Sequence, residues 1–160
     1  MLAASRQLHR SPAVADQFYP ADQARLKRMV DEFLAQTVAV KTRKIKAMIV
    51  PHAGYIYSAS IAASAYQALT LQADTISQVI LIGPSHKVGF EGVATCSADL
   101  YQMPFGAVEI SRHLLHKINT LPQVHERDKA HQFEHSLEVQ LPFLQTVLKQ
   151  FTMLPLVVGD

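Results

Sequence analysis

The chain has 160 residues and one cysteine, Cys96, which excludes an internal disulfide framework and suits a reducing compartment. It has no apolar stretch of membrane-spanning length, and Met1 to Arg6 lacks the apolar core and cleavage site of a secretory signal. A cytoplasmic protein without a membrane partner is therefore expected. Charge of one sign is also scarce. Fifteen Lys and Arg against thirteen Asp and Glu leave a formal net charge of +2. The densest basic stretch, Lys41 to Lys46, reads as the solvated approach to a strand, so no nucleic-acid partner is expected. Neither G-x-G-x-x-G nor a P-loop is present. There is no G-x-S-x-G elbow around Ser85, and the glutamate near His131 and His135 is not spaced as in H-E-x-x-H. Phosphate-cradling, α/β-hydrolase and zinc-protease chemistries thus lose their usual sequence support.

What is present is globular: 49% hydrophobic and 18% charged residues, in a length suited to one domain (1–160) with its own core. Two apolar runs share one grammar. Ile45 to Val50 ends in Pro51-His52-Ala53-Gly54-Tyr55, and Gln78 to Gly83 ends in Pro84-Ser85-His86. Each run reads as a buried strand stopped by a proline that cannot donate to a ladder. Each delivers a histidine just past its tip. Between them, Ser58 to Leu71 reads as a helix whose alanines, Ala59, Ala62, Ala63, Ala65 and Ala68, allow close packing on a sheet. Strand, helix, strand is the βαβ unit, with parallel strands and a right-handed crossover. Both histidines then emerge at one sheet edge, where open α/β sheets bind ligands. The expected fold class is α/β, a sheet with a parallel βαβ core and flanking helices.

The remaining elements follow in order. Val14 to Tyr19 reads as a short extended arm. Asp22 caps a helix running to about Gln36, with Leu26, Met29, Val30, Phe33 and Leu34 on one face. Gly92 to Cys96 and Ala107 to Ile110 read as short strands, and Ser111 caps a helix through about Asn119. Leu121 to Ala130 reads as a polar loop. Ser136 opens a helix with an early turn or kink at Pro142, and Phe151 to Val158 is a last strand with an exposed edge that invites self-association.

Among the eight histidines, His52 and His86 are the candidate metal ligands, since imidazole is a good ligand for iron, copper or zinc. The alternative is two loop histidines satisfied by backbone hydrogen bonds. Two imidazoles need a third ligand to complete a site. His131, Glu134, His135 and Glu138 form a second cluster. If the helix includes residue 131, His131 and His135 stack on one face and either can join Glu138. Glu134 and His135 are candidates for the same pocket, as are Tyr55, Tyr57 and Ser85; the alternative for the two tyrosines is packing on neighbours. Cys96 reads as a small buried hydrophobe. His9, His113, His116 and His125 read as surface residues.

Five stretches carry a family resemblance: Val14-Ala15-Asp16-Gln17-Phe18-Tyr19-Pro20, Pro51-His52-Ala53-Gly54-Tyr55, Gly83-Pro84-Ser85-His86, Glu134 through Phe143, and Pro155-Leu156-Val157-Val158-Gly159. Through them the chain resembles the Memo family, known in prokaryotes as AmmeMemoRadiSam system protein B, over nearly its whole length. The resemblance implies a fold related to class III extradiol dioxygenases, which use non-haem Fe(II). It implies that His52 and His86 are metal ligands for iron, alternatively copper or zinc; in the enzyme reading of these residues His135 assists proton transfer. It implies either a dioxygenase-like oxidoreductase or a non-catalytic metal- or peptide-binding adaptor. The substrate or partner is an unknown small molecule or peptide, and the prokaryotic name implies association with AMMECR1-like and radical SAM proteins. Ala59 departs from the family pattern, where a glycine is usual, as do Met103 and Phe105 around Pro104. The larger departure is length. The family continues into a second half with an Asp-Phe-x-His segment and a later cysteine that supplies the third ligand. Cys96 does not match that position. The expectation is therefore a fragment or truncated relative carrying half a site.

Overall fold

The computed structural model describes residues 7–38 and 44–160. The chain runs β1 (His9–Arg10), α1 (Gln23–Ala35), α2 (Tyr55–Gln67), β2 (Gln78–Pro84), β3 (Val93–Thr95), β4 (Leu100–Tyr101), β5 (Val108–Glu109), α3 (Arg112–Ile118), β6 (Val124–Glu126), α4 (Asp128–Gln132), α5 (Leu141–Val147) and β7 (Thr152–Val158). Short 3₁₀ turns cover Thr70–Thr75 and Glu138–Gln140. The fold is α/β, with two mixed sheets and flanking helices. The larger sheet has the order β2-β7-β3-β6. β2 and β7 run parallel in register from Gln78↔Thr152 to Pro84↔Val158, β3 is antiparallel to β7, and β6 is parallel to β3. Of the smaller sheet, β1-β4-β5, the sequence marked β5, as the short strand at Ala107 to Ile110, but not β1 or β4, which are two residues long and show no period.

Helix α1 forms as its sequence predicts. The Asp22 carboxylate accepts from the Arg25 amide at 2.7 Å, and Leu26 and Val30 are buried. Helix α3 is capped the same way by Ser111. Helix α2 begins at Tyr55, three residues earlier than predicted, and its alanine face lies chiefly against α1 and α5 rather than the sheet. One face of the sheet, with Leu81, Met153 and Val157, joins these helices in the main core. The opposite face is covered at β7, where Leu154 and Leu156 meet Leu115 of α3.

Two expectations are corrected. The run Ile45 to Val50 forms no strand. Ile45, Met48 and Val50 rest on the core, but Lys46, Ala47 and Ile49 face solvent, and no backbone ladder joins the run to β2 among the described residues. The parallel partner of β2 is β7 instead. β7 is also no edge: β2 and β3 flank it, and its middle residues are buried. Among the described residues the edge strands are β2 and β6, and Ile80 and Ile82 of β2 are 55% and 66% exposed. The predicted basic patch falls partly, and Met1 to Arg6 wholly, outside the described residues. No helix of the described residues is long and apolar enough to cross a membrane.

Candidate functional site

The tips of three segments converge. β2 ends at Pro84 and places His86 just beyond it. The segment before α2 carries His52. The turn between α4 and the 3₁₀ turn at Glu138 carries Glu134 and His135. The ring centres of His52 and His86 are 5.2 Å apart, those of His86 and His135 are 4.4 Å apart, and those of His52 and His135 are 6.0 Å apart. All three imidazoles line one open cleft of about 530 Å³, together with Gln17, Phe18, Pro51, Ala53, Gly54, Ile56 and Tyr57.

Glu134 lies beneath the rings, almost sealed from solvent. Its carboxylate accepts from the His86 amide at 2.6 Å, the His135 amide at 2.8 Å and the Ser136 amide at 2.9 Å, and Oε1 lies 2.9 Å from His86 Nδ1. Burial pushes its pKa up, but the hydrogen bonds from His86, Ser136 and His135 outweigh burial and hold it at about 2. Burial, and then the neighbouring His86, keep His52 below its ordinary value. Burial does the same for His135. Glu134 opposes that shift, while His86, His52 and Lys87 add to it. His52 and His135 are therefore neutral near pH 7, the form in which one ring nitrogen has a free lone pair.

One group of these donors could hold a metal ion. Donor atoms of His86, Glu134 and His135 lie within 4.8 Å of one another, a cluster that can hold a metal. His52 faces this group across the cleft and is not part of it.

The structure does not gather every candidate. Tyr55 is a core residue, with its hydroxyl donating to Val139 O at 2.8 Å and its ring against Tyr19 and Phe143, so it does not line the cleft. Tyr57, the other tyrosine candidate, does line it. The Ser85 hydroxyl donates to Val88 O at 2.6 Å and faces a separate cleft of about 190 Å³. His131 and His135 do not share a helix face, because α4 ends at Gln132. His131 is buried between the Tyr101 hydroxyl at Nδ1 (2.7 Å) and the Ala94 carbonyl at Nε2 (3.0 Å). Glu138 is committed elsewhere, to Arg10 and Tyr19. Cys96 is buried, and burial pushes its thiol up to about 11. His9, His113, His116 and His125 lie at the surface.

Phe18 was not anticipated as a wall of the site. Its ring centre is 4.6 Å from that of His135, and its carbonyl accepts from the Tyr55 amide at 2.8 Å. Residues 14–19 form a tight bridged loop, with Asp16 at φ 61°, rather than an extended arm. The only sequence signal for Phe18 was its place in a motif.

The family model described as "Memo-like protein" matches residues 10–160. A MEMO1 family protein of Aquifex aeolicus is 41% identical over 150 residues, covering 93% of this chain and 54% of the relative. A MEMO1 family protein of Methanosarcina barkeri is 38% identical over 151 residues, covering 94% and 54%. One from Metallosphaera sedula is 34% identical over 161 residues, covering 94% and 57%. The chain thus spans about half the length of the curated relatives it matches.

Proposed function

The chain belongs to the Memo-like protein family, and on that premise we propose that it carries a histidine metal pocket that serves a non-haem-iron oxidoreductase chemistry in the whole domain. The observation that supports this is the placement of His52 and His86 with ring centres 5.2 Å apart on one cleft. Imidazole is a ligand for iron, copper and zinc alike, and iron is the favoured occupant by resemblance to the extradiol dioxygenases. Iron(II) in such a site supplies redox chemistry and vacant positions for substrates. The chain's own residues do the rest. His52 and His86 present ring nitrogens, Glu134 orients His86, and Phe18, Ile56 and Tyr57 give the cleft apolar walls that suit a small planar substrate.

Anaerobic calorimetry with Fe(II), Cu and Zn on this chain and on a His52→Ala/His86→Ala double variant tests the proposal. Tight binding that the double variant loses supports it. Equal or absent binding in both proteins overturns it. Oxygen uptake with catecholic substrates, by a protein of the relatives' full length, tests the oxidoreductase part.

A second reading, a binding module without turnover, is favoured by the apolar surface around the site. Ile49, Ile56, Tyr57 and Ile61 are exposed, and so are Ile80 and Ile82. Peptide or adaptor binding would use that surface and would leave oxygen uptake at background.

A further inference from the structure

We propose that a cleft of about 750 Å³ at the end of the sheet away from the histidines is a second ligand site, and that it takes an uncharged planar ring system bearing an N–H donor, the chemistry shared by a nucleobase and an indole.

The cleft lies where β2 and β7 begin. Ser77 and the run Gln150-Phe151-Thr152 line it, together with β5 and the end of α5. Both strands are seven residues long, and His86 lies beyond the far end of β2. Seven extended residues set the two ends of a strand about 20 Å apart. None of the cleft's lining residues belongs to the histidine cleft. The two sites are therefore separate, and this one needs no metal.

The first argument is an acceptor without a donor. Gln145 lines the cleft, and its Nε2 donates to the Gly106 carbonyl at 3.0 Å. That bond fixes the amide, since a flip would set two oxygens against each other. Oε1 is then left buried and without a partner, the one such side-chain atom among the described residues. Buried polar groups are nearly always paired, and an unpaired acceptor carries a free-energy cost that a ligand N–H recovers as affinity.

The second argument is the shape of the walls. Phe105 and Phe151 are half-buried against the main core and line the cleft, with Val108 and Leu148 buried beneath. Aromatic faces stack on planar rings, and an apolar floor with a single well-placed polar group is the usual make-up of a small-molecule site. Gln23, Lys27, Lys149 and Gln150 are exposed at the rim, where long side chains can move aside for a ligand.

The third argument is charge. Lys27 and Lys149 are the cations of the cleft, but they pair with Asp31 and Asp74. Glu109 adds an unpaired carboxylate to the lining. Two cations against three acids leave no positive field to hold a phosphate or carboxylate. The ring is recognised, and an anionic tail adds nothing.

The test is ¹H–¹⁵N spectroscopy of the metal-free chain titrated with indole, with benzofuran, which has the same shape but no N–H, and with adenosine and AMP. Gln145→Met, shown to be folded by its thermal midpoint, is titrated alongside. Indole and adenosine are expected to shift the Phe105, Thr146 and Thr152 amides and to leave those of His52, His86 and His135 in place. The tighter of the two names the source of the ring. Indole should bind about 5–100-fold more tightly than benzofuran, and Gln145→Met should bring it down to the benzofuran level. AMP should bind within about 3-fold of adenosine, with little dependence on salt. Absence of shifts at those amides, equal binding of indole and benzofuran, or a folded Gln145→Met that keeps the preference each overturns the inference. AMP binding far more tightly than adenosine and weakening with salt overturns the uncharged-ring assignment. Metal calorimetry on His52→Ala/His86→Ala reports on the other site, so the two readings fail separately.

Discussion

Arg10 and Glu138 are 128 residues apart in sequence, yet they form an ion pair that solvent does not reach. Arg10 also donates to the His131 carbonyl at 3.0 Å and to the Glu134 carbonyl. Glu138 also accepts from the Tyr19 hydroxyl at 2.5 Å and from the Ala13 and Val14 amides at 2.7 and 3.1 Å. This one pair pins the N-terminal segment against the turn that carries Glu134 and His135, and so holds Phe18 against the site. Removing one partner strands a buried charge, which costs about 3–5 kcal/mol. Glu138→Ala and Arg10→Ala should each lower the unfolding free energy from urea titration by that amount, and the double variant should lose much less than the sum. Single variants within about 0.5 kcal/mol of the native chain would show that the pair stabilises nothing.

His131 predicts an acid sensitivity. Burial pushes its pKa down to about 4, with Arg10 adding to the shift and the Ala94 carbonyl, Asp128 and Glu134 opposing it. The unfolded chain takes up a proton near pH 6.5 that the folded chain refuses until about pH 4. Stability is therefore complete above pH 6.5 and falls as pH drops toward 4, by about 3 kcal/mol in all. Glu134, held at about 2, adds a lower window: its contribution is present above about pH 4.5 and is lost as pH falls toward 2. Urea unfolding at pH 7.0 and 4.5 should show the larger loss in the native chain and a smaller one in His131→Gln. Equal losses in the two proteins would assign the acid sensitivity to other groups.

The sequence made the tips of the sheet legible and concealed how its strands pair. Pro84-Ser85-His86 reads as a strand end because an apolar run stops at a residue that cannot donate. Ile45 to Val50 has the same look, but a strand also needs a partner, and β2 bonds to β7. His135 was legible as a pocket residue, while its separation from His131 was not. No Gly or Pro marks the break after Gln132. The break is made by Glu134, whose side chain accepts from the next two amides and so competes with the helix for them. Tyr55 read as a pocket residue because it follows His52 closely, yet helix α2 begins there and turns the ring inward. Tertiary placement of this kind leaves no local trace.

The uncovered side of β2 predicts association. Ile80 and Ile82 continue the row of Leu154 and Leu156, which α3 covers, but nothing among the described residues covers the two isoleucines. An exposed apolar edge strand is a template for a second copy of the chain. Sedimentation velocity should show association that rises with concentration. Ile80→Lys/Ile82→Lys should abolish it while leaving the unfolding free energy within about 0.5 kcal/mol. A native chain that remains monomeric at high concentration defeats this prediction.

Gly83 couples the sheet to the site. A Cβ placed there would lie 2.7 Å from Ser136 Oγ and 2.9 Å from both Ser136 Cβ and Leu137 Cδ2. Ser136 cannot easily retreat, because its hydroxyl donates to the Pro84 carbonyl at 3.0 Å and its amide donates to Glu134. The added methyl must therefore push the turn carrying His135 away from the β2 tip carrying His86. Overpacking of this kind costs about 1–3 kcal/mol. Gly83→Ala should lower the thermal midpoint and, at a temperature where the protein is fully folded, weaken Zn(II) or Co(II) binding more than a core variant of equal instability such as Leu144→Ala, which sits in α5 away from the cleft. If the two variants bind metal equally well, the spacing of β2 against Ser136 does not govern the histidine cluster.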